Sequence, residues 1–149
     1  MTEFAEGTFL GLPGSEGVAD VAILSVPYEL TTSYGRGTSA GPEAALRASA
    51  QVELYDPLLP EDLPCGFNIH TAQPWNGVGD SLQEQLAGIT NYVSKFQSSF
   101  PIILGGEHGM LPAIMNAVSQ RVDLSEMTLV QIDAHPDLQD ELDGDPNSH

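Results

Sequence analysis

The chain has 149 residues, of which 41% are hydrophobic, and this composition favours one folded domain over a disordered or multidomain chain. Its formal net charge at pH 7 is −17, because only four Lys and Arg residues stand against 21 Asp and Glu residues. Nucleic acids and anionic membrane surfaces both require a basic protein face, so neither is an expected partner, and no apolar run is long enough to suggest a membrane span.

The predicted secondary structure alternates between strands and helices, which is typical of an α/β protein with a parallel sheet. Residues 1–18 are rich in glycine and predict an N-terminal arm or loop. The elements predicted after this arm are a strand at 18–26, a turn-rich loop at 27–41, a helix at 42–49, short strands at 52–55 and 66–70, a helix at 81–97, a strand at 100–104, a helix at 110–122 and a strand at 128–132. No linker divides the chain, so residues 1–149 are expected to form a single domain.

Local signals support two of the predicted helix starts. Pro42 suits a first helical turn because its missing N–H would have no partner there, and Glu43 complements the helix dipole at the same end. Asp80 or Ser81 can cap the helix that follows.

Two residues of reactive type have no catalytic partner in the neighbouring sequence. Cys65 is the single cysteine, so it excludes an internal disulfide bond and suits a reducing compartment, and we therefore expect a cytoplasmic protein. His70 lies in a segment bounded by proline and glycine, and we expect it to be structural or exposed.

A cluster of potential metal ligands directly follows the predicted strand at 128–132. Asp133, His135 and Asp137 are spaced at i, i+2 and i+4, so an extended backbone would place all three side chains on one face. Two carboxylates and an imidazole suit divalent ions such as Mn, Zn or Fe. A short Asp-x-His-x-Asp sequence also occurs in ordinary surface loops, so this motif alone leaves both interpretations open.

A second histidine follows the predicted strand at 100–104. The sequence there reads Gly105-Gly106-Glu107-His108, and a glycine pair allows a sharp turn and a close approach of the backbone to a ligand. Open α/β sheets bind ligands at the carboxyl ends of their strands, so we expect His108 to lie near Asp133. By itself this motif would also fit a turn with a surface histidine, but the two motifs together favour a metal site.

The two motifs together resemble those of the ureohydrolase family, which includes arginase and agmatinase. That family carries Gly-Gly-Asp/Glu-His and Asp-Ala-His-x-Asp, matched here by residues 105–108 and 133–137. Residues 26–44, with Gly35-Arg36-Gly37 and a Gly-Pro helix start, look like the agmatinase type of opening. The resemblance implies a three-layer α/β fold of the arginase type, built on a parallel sheet.

The same resemblance implies a binuclear site that usually holds manganese, with two Mn²⁺ ions when complete. His108 and Asp137 would bind one ion, His135 would bind the other, and Asp133 would bridge them. His149 matches the histidine that family members are thought to use for proton transfer, although it would also fit a disordered terminal histidine without a role.

The chain departs from the family pattern in two places. Gly109 stands where the family often has serine. The Asp-x-Asp-x-x-Asp-Pro motif that supplies further metal carboxylates does not occur in these 149 residues, so the resemblance covers the amino-terminal half of the family and implies a fold incomplete at its C-terminus. We therefore expect the 149-residue chain by itself to bind metal weakly and to be inactive.

The implied reaction is the hydrolysis of a guanidinium group to urea and an amine, with a small cationic guanidino compound as substrate and a homo-oligomer as the full-length form. Agmatine, which would give putrescine for polyamine biosynthesis, is the favoured substrate because the loop after Asp137 is acidic and would attract a second positive charge. The acidic residues of this loop are Asp140, Glu141, Asp143 and Asp145. These acids also fit a merely solvated surface or a saline host. The motifs would also fit a different guanidino substrate (guanidinobutyrate, arginine or formimidoylglutamate), and they would fit a non-catalytic fragment or degenerate paralogue.

Overall fold

A parallel sheet of three strands forms the centre of the computed structural model, which describes residues 6–14, 17–32, 34–77 and 79–135. The strands are β1 (Val21–Val26), β2 (Ile69–Thr71) and β3 (Phe100–Gly105), in the order β2-β1-β3. The helices are α1 (Gly41–Ser49), α2 (Leu82–Ser94) and α3 (Leu111–Ser119). Single 3-10 turns lie at Phe9–Gly11, Thr38–Ala40, His108–Met110 and Leu124–Glu126. The sheet and its intervening helices confirm the predicted fold class.

β1 is the central strand of the sheet, and its side chains are buried on both faces. Ala22, Leu24 and Val26 contribute to the hydrophobic core that α2 and α3 cover. Ser25 alternates to the opposite face, where it lines a cavity together with α1. A nearly continuous apolar run is typical of a strand covered by helices on both sides, and the result here is a three-layer arrangement.

The carboxyl ends of β1 and β3 lie side by side. The register pairs Val21 with Phe100 at one end and Val26 with Gly105 at the other, so both strands end at the same edge of the sheet. The loop after β1 and the turn after β3 therefore begin next to each other, and this edge carries the candidate site.

The predicted helix starts are confirmed. Pro42 occupies the first turn of α1, with Glu43 beside it. Ser81 caps α2: its side chain accepts a hydrogen bond from the backbone N–H of Glu84, and the Glu84 carboxylate accepts one from the backbone N–H of Ser81 in return. The backbone N–H groups of Asp80 and Ser81 lower the pKa of Glu84.

The prediction of a buried strand at 128–132 is wrong. This segment has no regular secondary structure, and its apolar side chains are exposed, Ile132 at 98%. An apolar sequence becomes a buried strand only when a neighbouring strand supplies backbone hydrogen bonds and a covering face. β1 is already paired on both sides, and the segment pairs with neither β2 nor β3 within the described residues.

The short strands expected at 52–55 and 66–70 are absent in the first case and shifted in the second. Residues 52–55 do not form a strand, and the strand expected at 66–70 is instead Ile69–Thr71. The arm expected at 1–18 is held to the domain where it is described, because the backbone N–H groups of Phe9 and Leu10 donate to Thr71 Oγ1 and Ser49 Oγ. Among the described residues, no helix is both long enough and apolar enough to cross a lipid bilayer.

Candidate metal centre

The turn after β3 runs against the backbone of the segment that follows β1. The N–H of Gly106 donates to the carbonyl of Val26 at 3.2 Å, and the N–H of Glu107 donates to the carbonyl of Tyr28 at 3.0 Å. A Cβ at position 106 would overlap the carbonyl oxygen of Tyr28 and lie 3.1 Å from its carbonyl carbon. The second glycine of the pair thus permits a close approach between two backbone segments of the protein itself, and Glu107 and His108 follow it.

His108 and Asp133 lie together, although they are 25 positions apart in the sequence. His108 Nδ1 is 3.6 Å from Asp133 Oδ2, and the histidine side chain is half exposed. Asp133 reaches this position from an exposed loop rather than from the end of a buried strand. The expected proximity is present, but the local structure that brings Asp133 there differs from the prediction.

Asp133 directs one carboxylate oxygen towards each of two histidines. Oδ2 faces His108, whereas Oδ1 lies 3.9 Å from His135 Nδ1 and accepts a hydrogen bond of 3.0 Å from the backbone N–H of His135. This backbone hydrogen bond is the main cause that lowers the pKa of Asp133, and the His108 imidazole lowers it further. Asp133 is therefore an ionised carboxylate at neutral pH, with an imidazole beside each oxygen.

The donor set fits a divalent transition ion in its chemistry, because imidazole nitrogen and carboxylate oxygen are common ligands of Mn, Fe and Zn. Across the described ranges, however, no three His, Cys, Asp or Glu side chains converge closely enough to hold an ion. Asp137 and His149, together with the acidic residues at 140, 141, 143 and 145, lie outside the described residues. Of the predicted site residues, the structure places His108 and His135 each beside Asp133, at 3.6 and 3.9 Å.

A cavity of about 320 Å³ opens beside His108. One wall is the turn after β3, and the other is the loop after β1, with Thr31, Thr32 and Tyr34. The cavity lies at the carboxyl edge of the sheet, where open α/β proteins bind their ligands. A small polar molecule entering it would meet His108 on one side and Thr31 and Thr32 on the other.

Glu107 and Thr31 are site residues to which the sequence analysis assigned no role. Glu107 is buried at 9% exposure, and its carboxylate accepts hydrogen bonds from the backbone N–H and the hydroxyl of Thr31. A signal that could have identified Glu107 is its position as a charged residue between a predicted buried strand and a predicted metal ligand. No signal of that kind marked Thr31, because its partner lies 76 residues away along the chain.

Glu29 closes the loop after β1 on itself. Its carboxylate accepts hydrogen bonds from the backbone N–H groups of Gly37, at 2.8 and 3.0 Å, and Ser39, at 2.9 Å. These backbone donors, Ser39 first, lower the pKa of Glu29 from 4.5 to about 2. The cavity wall is therefore held by two carboxylates, Glu29 within the loop and Glu107 from the sheet edge.

His70 belongs to the sheet rather than to the site. It lies in β2, on the far side of β1 from β3, and its ring stacks on Phe96 with centroids 6.1 Å apart. This contact supports the structural role expected for it.

Comparison with known protein families and sequences gives a consistent result. The sequence model of the Arginase family matches residues 19–149. The chain is 36% identical over 140 residues to the N(1)-aminopropylagmatine ureohydrolase of Synechocystis sp., covering 88% of this chain and 44% of that protein. It is 31% identical over 133 residues to the agmatinase of Bacillus anthracis, covering 88% of this chain and 45% of that protein. The chain thus spans less than half the length of the curated relatives that it matches.

Solved structures show the same likeness in three dimensions. A putative agmatinase from Clostridium difficile superposes with a TM-score of 0.76 at 25% identity, covering 87% of this chain and 47% of that one. The agmatine ureohydrolase of Thermoplasma volcanium superposes with a TM-score of 0.69 at 23% identity, covering 100% and 47%. The second likeness bears on the fold alone.

Proposed function

The chain belongs to the arginase family, and from this premise we propose that it carries part of a binuclear-metal centre that hydrolyses a guanidinium group to urea and an amine. The observation that carries the proposal is the position of Asp133, with Oδ2 at 3.6 Å from His108 Nδ1 and Oδ1 at 3.9 Å from His135 Nδ1. A carboxylate with one oxygen facing each of two imidazoles could be shared by two metal ions that those imidazoles bind.

In the proposed site His108 and Asp137 would hold one Mn²⁺, His135 would hold the other, and Asp133 would be the ligand shared by both. Two such ions, when bound, lower the pKa of water and so supply a nucleophile near neutral pH. The cavity beside His108 receives the guanidinium group and limits the orientations in which it can be attacked.

The proposed reaction is balanced with one water. The water oxygen forms a bond to the guanidinium carbon, and the bond from that carbon to the alkyl-substituted nitrogen breaks. Both water protons pass to the departing nitrogen, so the products are neutral urea and an alkylammonium ion. We assign this proton transfer to His149, because histidine both holds and releases a proton near neutral pH.

We propose agmatine as the substrate, because its second positive charge suits an acidic protein. The net charge of −17 includes Asp140, Glu141, Asp143 and Asp145, which follow the proposed ligands in sequence. Guanidino compounds with an anionic tail, such as guanidinobutyrate, would be repelled by the same charges. The name of the Synechocystis relative favours a second candidate, N(1)-aminopropylagmatine, whose tail is also cationic.

The test is urea release by the protein expressed from its complete open reading frame and loaded with Mn²⁺, Zn²⁺ or Fe²⁺ in parallel. We expect kcat/KM for agmatine or N(1)-aminopropylagmatine to exceed the values for arginine and guanidinobutyrate by about tenfold or more, as expected for one well-placed charge contact. Asp133→Asn and His108→Ala should abolish turnover, whereas His70→Ala, a substitution outside the site, should retain it. Preference for an anionic tail would contradict the substrate, and absence of urea from every substrate with every metal would favour a non-catalytic paralogue.

A further inference from the structure

Glu107 has a buried carboxylate that is committed to one partner. Its Oε1 and Oε2 lie 2.8 and 3.1 Å from the backbone nitrogen of Thr31, and Oε1 also accepts the Thr31 hydroxyl. A carboxylate held by both a backbone and a side-chain donor of one residue resists rotation, since turning it breaks several charge-assisted hydrogen bonds together. Glu107 therefore ties the turn after β3 to the loop after β1.

Gly109 packs against the same threonine. A Cβ at position 109 would lie 2.9 Å from Thr31 Oγ1 and 3.2 Å from Glu107 Oε1, and its next neighbour would be the Tyr28 ring at 3.6 Å. Gly109 is itself buried. The Thr31 hydroxyl thus fills the space that a side chain at position 109 would occupy, and it uses that position to donate to Glu107.

His108 stands between these two contacts. Its preceding residue is tied to Thr31 by hydrogen bonds, and its following residue packs against Thr31 without room for a side chain. The backbone of His108 is thereby held from both sides by one residue of another loop. The imidazole, which is half exposed, faces Asp133 from this held backbone, with Nδ1 at 3.6 Å from Asp133 Oδ2.

We propose that Glu107 is a positioning residue that fixes His108 through Thr31, and that Thr31 and Gly109 are a complementary pair in which the threonine hydroxyl replaces a side chain at position 109. The consequence for metal binding rests on the proposed function; the mechanical coupling does not. Residues that orient a metal ligand typically change metal affinity by about 10–100-fold when they are altered.

The first experiment measures Mn²⁺ affinity by calorimetry on the protein from its complete open reading frame, at a temperature where circular dichroism shows each variant to be folded. Glu107→Gln keeps the side-chain shape but replaces one acceptor oxygen with a donor, and Gly109→Ser forces a Cβ against Thr31. We expect each to weaken Mn²⁺ binding by about 10–100-fold. The double variant Thr31→Ala with Gly109→Ser should recover to within about threefold of wild type, because alanine vacates the space and the serine hydroxyl can donate to Glu107.

Two matched controls separate this role from general stability. Gly14→Ser introduces the same side chain where no atom lies within 4 Å. Thr90→Ala removes a threonine hydroxyl that donates to the Ala113 carbonyl at 2.9 Å, between α2 and α3. We expect Gly14→Ser to leave both Mn²⁺ affinity and stability unchanged, and Thr90→Ala to lower stability without changing Mn²⁺ affinity.

A second readout does not need the metal. In the metal-free protein, the His108 imidazole should give one set of NMR resonances in the wild type and in the double variant, and several or broadened sets in Glu107→Gln and Gly109→Ser. If the wild type binds no Mn²⁺, the proposed function fails, and these spectra still decide the inference. Wild-type Mn²⁺ affinity or wild-type His108 resonances in Glu107→Gln would overturn it, as would a double variant no better than Gly109→Ser alone.

Discussion

Replacing Gly106 with alanine should destabilise the protein strongly, because this glycine is where the turn after β3 meets the segment after β1. The added Cβ would overlap the Tyr28 carbonyl oxygen, and it would also lie 3.1 Å from the carbonyl carbon of that residue and 3.3 Å from the Thr38 carbonyl oxygen. All of these are backbone atoms, so no side chain can rotate away to relieve the contact. The two segments must move apart.

The cost has two parts. Overpacking by one methyl group in a well-packed region costs about 1–3 kcal/mol. Separating the segments also strains the hydrogen bonds from Gly106 N–H to the Val26 carbonyl and from Glu107 N–H to the Tyr28 carbonyl, each worth about 1 kcal/mol. We therefore expect Gly106→Ala to lower the free energy of unfolding by about 3 kcal/mol, measured as a shift of the urea midpoint at constant m value.

Two nearby glycines serve as controls for this measurement. Gly41 lies in α1, and a Cβ at this position would be 3.5 Å from its nearest neighbour, the Gly105 carbonyl oxygen, which is an ordinary contact distance. Because alanine favours the helix over glycine, Gly41→Ala should be neutral or should stabilise the protein by up to about 1 kcal/mol. A Cβ at Gly105 would meet the end of the flexible Met110 side chain, so Gly105→Ala should cost less than Gly106→Ala. A loss below about 0.5 kcal/mol for Gly106→Ala, or one no larger than that of Gly105→Ala, would refute the reasoning.

Three further outcomes are expected. The pKa of Glu29 is lowered from 4.5 to about 2 in the folded protein, so the stability that its carboxylate contributes is present above pH 4.5 and is lost as the pH falls towards 2. Across this pH range, the urea midpoint should therefore fall less steeply with pH in Glu29→Gln than in the wild type. Parallel curves for the two proteins would contradict the assignment. Ser81→Ala removes the cap of α2 and should cost about 1 kcal/mol in urea unfolding, while an unchanged midpoint would show that the cap contributes nothing. The 149-residue chain should bind Mn²⁺ weakly and release no measurable urea, because no three potential ligands converge among its described residues. Tight binding of two ions per chain in calorimetry would contradict this.

The parts of the molecule that follow from local patterns could be predicted from the sequence. The first strand was predicted at 18–26 and is observed at Val21–Val26, where the run is apolar almost throughout. The glycine pair and His108 were placed correctly at the end of β3. Pro42 and Ser81 marked the starts of α1 and α2 because capping depends on residues only a few positions apart. The proximity of His108 to Asp133 was expected on the premise that both follow strands ending at one edge of the sheet; the proximity is present, although Asp133 follows no strand.

The tertiary structure alone decided how that edge is built. Residues 128–132 have the composition of a buried strand, yet they are exposed, because a strand needs a paired neighbour that composition cannot supply. The contact between Glu107 and Thr31 joins residues 76 positions apart, and the fit of Gly109 against the same threonine depends on it. Neither contact has a local signal, since hydrogen bonds and packing between distant segments are set by how the chain folds back on itself rather than by the spacing of residues along it.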